Sequence, residues 1–161
     1  RHKESLHLEE FDLSELTEMV AEETQGLAES KAVTLTAEIE PGILVKADQT
    51  LMMRIWLNLL TNAVKYGRQQ GQIWLTLKSD GKNAVGTVRD DGIGISAAEL
   101  PKIWKRFYRV NTARSSGDDS GTGLGLAMVK WMVESHGGTV SAVSTLGAGS
   151  TFSFTIPLRP S

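Results

Sequence analysis

Val140-Ser141-Ala142-Val143-Ser144-Thr145-Leu146-Gly147-Ala148-Gly149-Ser150-Thr151-Phe152-Ser153-Phe154-Thr155-Ile156-Pro157 holds two runs of apolar residues interleaved with small polar ones, Val140–Val143 and Phe152–Ile156, the second stopped by a proline. Alternation with a period of two places the apolar side chains on one face, the pattern of a half-buried strand. Strands that follow one another this closely pair together, whereas a doubly wound parallel sheet needs a helical crossover between them. Upstream, Ile73–Leu77 and Ala84–Val88 repeat the arrangement across Ser79-Asp80-Gly81-Lys82-Asn83 and predict a hairpin. Val33–Ile39 alternates in the same way, and Pro41-Gly42 turns the chain into a short strand at Ile43-Leu44-Val45.

Helices separate these strands irregularly. Asp12-Leu13-Ser14-Glu15 is a capping-box-like start, followed by Leu13, Leu16, Val20 and Leu27 at helical spacing. Asp48 caps a second helix reaching about Tyr66, with a wide apolar side of Leu51, Met52, Ile55, Trp56, Leu59, Leu60, Ala63 and Val64. Ser96-Ala97-Ala98-Glu99 opens a short helix, and Leu124 to about Ser135 forms another, stopped at Gly137-Gly138. Asn111–Thr122 is polar, glycine-bearing and without periodicity, which predicts a mobile loop. The mixed order predicts an α/β fold: a two-layer sandwich, a mixed β-sheet with helices packed on one face.

Composition narrows the function. The chain has 161 residues with 17 Lys+Arg against 19 Asp+Glu, a net charge of −2, 40% hydrophobic and 22% charged residues. This fits one globular domain, and no basic excess points to nucleic acid as a partner. Absence of cysteine excludes disulfides, a thiolate zinc site and a cysteine nucleophile. No apolar run approaches the ~20 residues of a membrane helix, and Arg1-His2-Lys3-Glu4 opens no signal peptide. The expectation is a soluble domain that starts as if cut from something longer.

Four segments carry chemistry. In Asn58-Leu59-Leu60-Thr61-Asn62-Ala63-Val64-Lys65-Tyr66, residues 58, 62 and 65 or 66 share a helix face. A carboxamide oxygen suits Mg²⁺, which takes one or two protein oxygens and leaves the rest to phosphates and water; taken alone, the pair fits a solvated face equally. In Val88-Arg89-Asp90-Asp91-Gly92-Ile93-Gly94-Ile95, a strand ends in a carboxylate followed by glycines that let a flat ligand approach the backbone. An acidic Asp-Gly turn is the plainer reading of that segment by itself. Ile103-Trp104-Lys105-Arg106-Phe107-Tyr108-Arg109 mixes aromatics with cations and says little unaided. Gly121-Thr122-Gly123-Leu124-Gly125-Leu126 leads into a helix, where free N–H groups and the positive dipole end favour phosphate. It lacks the Gly-Lys-Ser/Thr of a Walker A loop and the last glycine of a Rossmann fingerprint.

In this order and spacing the four segments resemble the N, G1, F and G2 boxes of the sensor histidine kinase catalytic domain. Asn58–Tyr66 matches the N box, Asp90-x-Gly92-x-Gly94 the G1 box, Phe107-Tyr108-Arg109 the F box and Gly121-x-Gly123-x-Gly125 the G2 box, while Phe11-Asp12-Leu13 looks like the usual start of the domain. The resemblance implies the Bergerat ATP-binding fold, with ATP and Mg²⁺ as cofactors. It assigns Asp90 to the adenine amino group, with Gly92, Gly94 and Ile95 lining the base pocket. It assigns Asn62 to Mg²⁺, Asn58 to the phosphate region, and Lys65 and Tyr66 to the phosphate and sugar side. The Gly121, Thr122, Gly123, Leu124, Gly125 and Leu126 backbone would wrap the triphosphate, and Asn111–Thr122 would be a lid anchored by Phe107. Arg109 would stabilise γ-phosphate charge during transfer, so that Asn58, Lys65 and Arg109 form the catalytic set.

The same resemblance places the phosphoacceptor histidine on a separate helical dimerisation domain, and none of His2, His7 and His136 precedes the expected acidic residue. Residues 1–10 would then be the remnant of that domain or its linker, and 11–161 the catalytic domain. A response regulator would act downstream, the isolated chain would be a monomer, and the parent would sit in the cytoplasmic membrane with this domain on the cytoplasmic side. His136 reads as a helix-end packing or dipole contact. Asp91 stands where the family more often has Asn and would add charge beside the base pocket. The four tryptophans are expected in the core or at an interdomain surface, with Trp104 alternatively covering a lid. A nucleotide-gated interaction module and a gyrase- or chaperone-type ATPase are the competing functions; the ATPase needs an N-box glutamate, where this chain has Asn58.

Overall fold

A computed structural model describes residues 6–105 and 125–159. In chain order the elements are β1 (Glu9–Asp12), α1 (Leu13–Ser30), β2 (Thr34–Ile39), β3 (Leu44–Ala47), α2 (Gln49–Tyr66), β4 (Gln72–Ser79), β5 (Asn83–Asp90), a 3₁₀ turn (Leu100–Lys102), α3 (Gly125–Ser135), β6 (Val140–Thr145) and β7 (Gly149–Pro157). Five strands form one mixed sheet in the order β2-β4-β5-β7-β6. Only the β2–β4 pair is parallel; the two hairpins foreseen from the sequence, β4–β5 and β6–β7, are antiparallel neighbours.

Strand alternation sorts the sheet's two faces. Ile73, Leu75 and Leu77 of β4, Ala84 and Val88 of β5, and Phe152, Phe154 and Ile156 of β7 are buried with the apolar stripes of α1, α2 and α3. Between them lie Trp74, Thr76, Val85, Thr87, Thr151, Ser153 and Thr155, half-buried on the opposite face, where the Arg89 guanidinium lies 4.5 Å from the Trp74 ring centre. At the centre of the core Trp56 is fully buried, donates its indole N–H to Thr17 Oγ1 at 2.9 Å, and meets Phe154 edge-on at 5.0 Å. Gly86 lies beneath this pair: a Cβ there would stand 2.5 Å from Phe154 Cζ and 2.8 Å from Trp56.

Two local features depart from the sequence reading. Residues 9–12 form a strand that the sequence did not announce, β1, antiparallel to β3 with Glu10 opposite Lys46. That small sheet is separate from the main one, and Leu13 N–H bonds Ile43 C=O at 2.8 Å beside it. The Ser96 cap forms, with Glu99 N–H on Ser96 Oγ at 3.3 Å, yet only a 3₁₀ turn follows, because Pro101 lacks the N–H an α-turn would use. Trp131 is 42% exposed, in keeping with the surface alternative expected for the tryptophans rather than the core one. Trp104 packs edge-on against Phe152 at 6.0 Å, which favours the core role over the lid role.

His136 follows α3, whose carbonyl end is closed by Gly137 at φ +81°. Its ring takes the helix-end contact expected from the sequence, with Nδ1 2.8 Å from Met132 C=O. Among the described residues no helix is long and apolar enough to cross a membrane.

Candidate nucleotide site

The site is assembled on α2 and on the turn after β5. Asp48 caps α2 by accepting Leu51 N–H at 3.1 Å. From there Met52, Ile55, Trp56, Leu59, Leu60, Ala63 and Val64 turn into the core. That leaves Asn58, Asn62 and Tyr66 half-buried along one flank and Lys65 exposed. Their spacing is the helical repeat itself, which is why it was readable from the sequence. Among the described residues neither the Asn58 nor the Asn62 carboxamide makes a hydrogen bond to the protein. Half-buried and unpaired, both carboxamides are available to a ligand or to water.

At the end of β5, Asp90 is only 5% exposed. Its Oδ1 accepts Gly92 N–H at 2.8 Å. Burial pushes the carboxyl above its ordinary range, opposed by the Gly92 and Ser150 N–H groups and reinforced by Asp91. The turn after Asp90 is held from two sides. Ile93 N–H reaches Tyr66 C=O at 3.3 Å at the end of α2, while Gly147 N–H bonds Ile93 C=O at 2.7 Å and Ile95 N–H bonds Ser144 Oγ at 2.7 Å from the β6–β7 hairpin. A Cβ on Gly92 would lie 2.7 Å from Gly67 Cα and run into Tyr66 O; Gly94, at φ +73°, would strike the Thr145 backbone. Asp90 and Tyr66, 24 positions apart by number, are thereby locked side by side.

Ile95 is buried in the core cluster, so its side chain backs the turn. Gly125 and Leu126 open α3, which packs beside α2. Phe107, Tyr108, Arg109, the loop 111–122, Gly121, Thr122, Gly123 and Leu124 lie outside the described residues. Asp91 lends its charge to Asp90, as expected, and has a second job: its Oδ1 accepts Gln72 N–H at 3.0 Å, and its carbonyl takes Arg68 Nε at 3.0 Å, fastening the α2–β4 connection. Asparagine could supply the same oxygen, which accounts for the interchange.

Sequence reasoning missed Gly149, at φ +99°, whose Cβ would stand 2.8 Å from Asp91 Cα and press on Asp90 C=O. The glycines of Gly147-Ala148-Gly149 were the available signal. Among the described residues no group of His, Cys, Asp and Glu gathers to hold a metal. The free oxygen donors are the two carboxamides, a set that suits an ion completed by phosphates and water.

The site thus joins a buried acceptor at a glycine-walled turn to unpaired carboxamides on the adjoining helix, and comparison with known proteins gives the family. Residues 47–160 match the family described as histidine kinase-, DNA gyrase B- and HSP90-like ATPase. The chain belongs to that family. Among curated relatives, the sensor histidine kinase TmoS of Ectopseudomonas mendocina is 38% identical over 149 residues, covering 92% of this chain and 15% of TmoS. Among solved structures, the mycobacterial sensor histidine kinase MprB superposes with a TM-score of 0.82 at 28% identity, covering 95% of this chain and 100% of that one. Full-length ShkA in complex with AMPPNP gives a TM-score of 0.83 at 29% identity, covering 99% of this chain and 33% of ShkA. Within the family, the likeness is to sensor histidine kinases, and the fold is that of their catalytic domains.

Proposed function

We propose that this chain is the catalytic, ATP-binding domain of a sensor histidine kinase, which delivers the γ-phosphate of ATP to a histidine on a separate helical dimerisation domain. The observation that carries this reading is the meeting of the α2 flank with the Asp90 turn. Asp90 accepts the adenine amino group, and Gly92 and Gly94 let the base lie against bare backbone. Asn62 holds Mg²⁺ with Asn58 beside it, and Lys65 and Tyr66 meet the phosphate and sugar side. The metal, when bound, neutralises charge on the β- and γ-phosphates. The Gly121–Leu126 backbone closes over the triphosphate, Phe107 anchors the lid, and Arg109 stabilises charge on the transferred group.

Transfer to a side chain, rather than hydrolysis, is the reading that α2 supports. Its sequence, Gln49 to Tyr66, contains no aspartate or glutamate, so it offers no carboxylate to activate water. Asn58 stands one turn before Asn62, where a gyrase- or chaperone-type ATPase places its glutamate. The bound triphosphate therefore waits for an acceptor brought from outside. The parent is a two-component sensor in the cytoplasmic membrane with this domain on its cytoplasmic side, passing phosphate on to a response regulator. The isolated chain is a monomer, binds no nucleic acid and does not phosphorylate itself.

The test combines the chain with the separately produced phosphoacceptor domain of its parent and ATP labelled on the γ-phosphate. Label on the acceptor histidine, and none on the catalytic chain alone, is the expected result. ATP binding without transfer would leave the nucleotide-gated interaction module instead.

A further inference from the structure

Every polar group of Asp48 is engaged, and the partners belong to three different parts of the fold. Its carbonyl takes Met52 N–H at 2.9 Å and its Oδ1 takes Leu51 N–H at 3.1 Å, both within α2. Its Oδ2 takes the backbone N–H of His7, in the incoming chain before β1, at 3.0 Å. Its own N–H points at His136 Nε2, beyond α3, at 3.1 Å. Partial burial pulls the Asp48 carboxyl upward, but the His7 and Leu51 N–H groups together hold it below the usual carboxylate range.

The His136 ring is defined by these contacts. A backbone N–H can only donate, so Nε2 accepts; Met132 C=O can only accept, so Nδ1, 2.8 Å away, carries the proton. The imidazole is neutral in the Nδ1–H form and bridges the last turn of α3 to the first residue of the α2 cap. α2 and α3 are also the two helices that carry the phosphate-side groups, Asn58, Asn62 and Lys65 on one and the Gly125-Leu126 start on the other. Counting 1.5 Å per residue, Asn62 lies about 21 Å along α2 from Asp48, and Gly125 about 16 Å along α3 from His136. The two helices are thus tied at one end and meet the nucleotide at the other.

We infer that His136 is a positioning residue: its neutral ring joins α3 to the Asp48 cap, sets the spacing of the two helices at the nucleotide, and makes that spacing answer to the incoming chain held on Asp48. This rests on the ATP-binding reading above. The alternative is a local role, in which the ring only closes the carbonyl end of α3 through Met132.

Three substitutions separate the two. His136→Gln restores an oxygen acceptor where Nε2 stood and so can take the Asp48 N–H. His136→Asn restores a donor where Nδ1 stood and serves Met132 alone. His136→Ala removes both. Amide hydrogen exchange on the nucleotide-free chain is expected to show Asp48 and His7 deprotected in the alanine and asparagine variants and protected in the glutamine variant. Calorimetry is expected to show Mg·ATP bound about 3- to 10-fold more weakly in the first two and near wild type in the third, the loss from one hydrogen bond.

The ring nitrogens of His136, read by ¹⁵N NMR, should show a proton on Nδ1 and none on Nε2. Rescue by asparagine but not glutamine, the opposite tautomer, or unchanged ATP affinity in all three variants would overturn the inference. Wild-type chain that binds no Mg·ATP would instead withdraw the nucleotide reading, and with it the clamp, while exchange at Asp48 and His7 would still decide whether His136 forms the joint.

Discussion

Asp90→Asn isolates base recognition. The native carboxylate is an acceptor only, 5% exposed, with one oxygen on Gly92 N–H at 2.8 Å. The adenine amine offers it a donor, whereas the guanine carbonyl at the same ring position opposes it with a second acceptor. Asparagine keeps an oxygen for Gly92 and puts an amide donor in place of the other, so adenine meets it donor to donor. Leaving such groups unpaired in a buried site costs about 1–3 kcal/mol, which weakens Mg·ATP about 10- to 100-fold. Calorimetric titration of wild type and variant with Mg·ATP and Mg·GTP reads this directly. Wild type should prefer ATP by a similar factor and the variant should lose the preference. A folded variant that binds ATP within about threefold of wild type would show that Asp90 does not read the base.

The remaining expectations follow from the same geometry. Because burial raises the Asp90 carboxyl from 3.8, the folded chain holds that proton more tightly than the unfolded one. Relative to Asp90→Asn, wild type should therefore be most stable below the ordinary carboxylate pKa and lose that margin as pH rises through the raised value, checked by urea denaturation across that range. Asn62→Ala should fold normally but lose the dependence of ATP affinity on Mg²⁺; an unchanged metal titration would refute Asn62 as the ligand. Gly92→Ala, whose Cβ would be 2.7 Å from Gly67 Cα, should destabilise the chain and abolish nucleotide binding. Gly26→Ala, on an exposed stretch of α1 with nothing within 4 Å, should stabilise it by about 0.5–1 kcal/mol in thermal or urea unfolding.

What could be read from the sequence depended on how far apart the partners lie along the chain. Leu51 to Tyr66 announces both its core stripe and its polar flank because helical periodicity is local. The β4–β5 and β6–β7 pairs are equally local, each joined by a short connection. β1 is different: Glu9-Glu10-Phe11-Asp12 has no apolar alternation, and only backbone pairing with β3, more than thirty positions on by number, makes it a strand. The direction of the Asp91 side chain was hidden for the same reason, since its partner is the backbone of Gln72 rather than anything in the glycine turn.

The same distinction explains how the site divides into parts. Asn58 and Asn62 can be placed by the helix alone, and any amphipathic helix could carry them. The role proposed for Asp90 depends on the turn after it, which is pinned to Tyr66 on one side and to the β6–β7 hairpin on the other. Close contacts made through Gly92, Gly94 and Gly149 leave no room for a side chain at those three positions. A carboxylate held this firmly can select a base, because it cannot turn to suit another one. The phosphate-side groups lie on two separate helices, whose relative position depends on what ties those helices together. On the proposed reading, selectivity is fixed in the sheet and its turns, while geometry at the phosphates stays adjustable through α2 and α3, which is where control by an upstream domain would have to act.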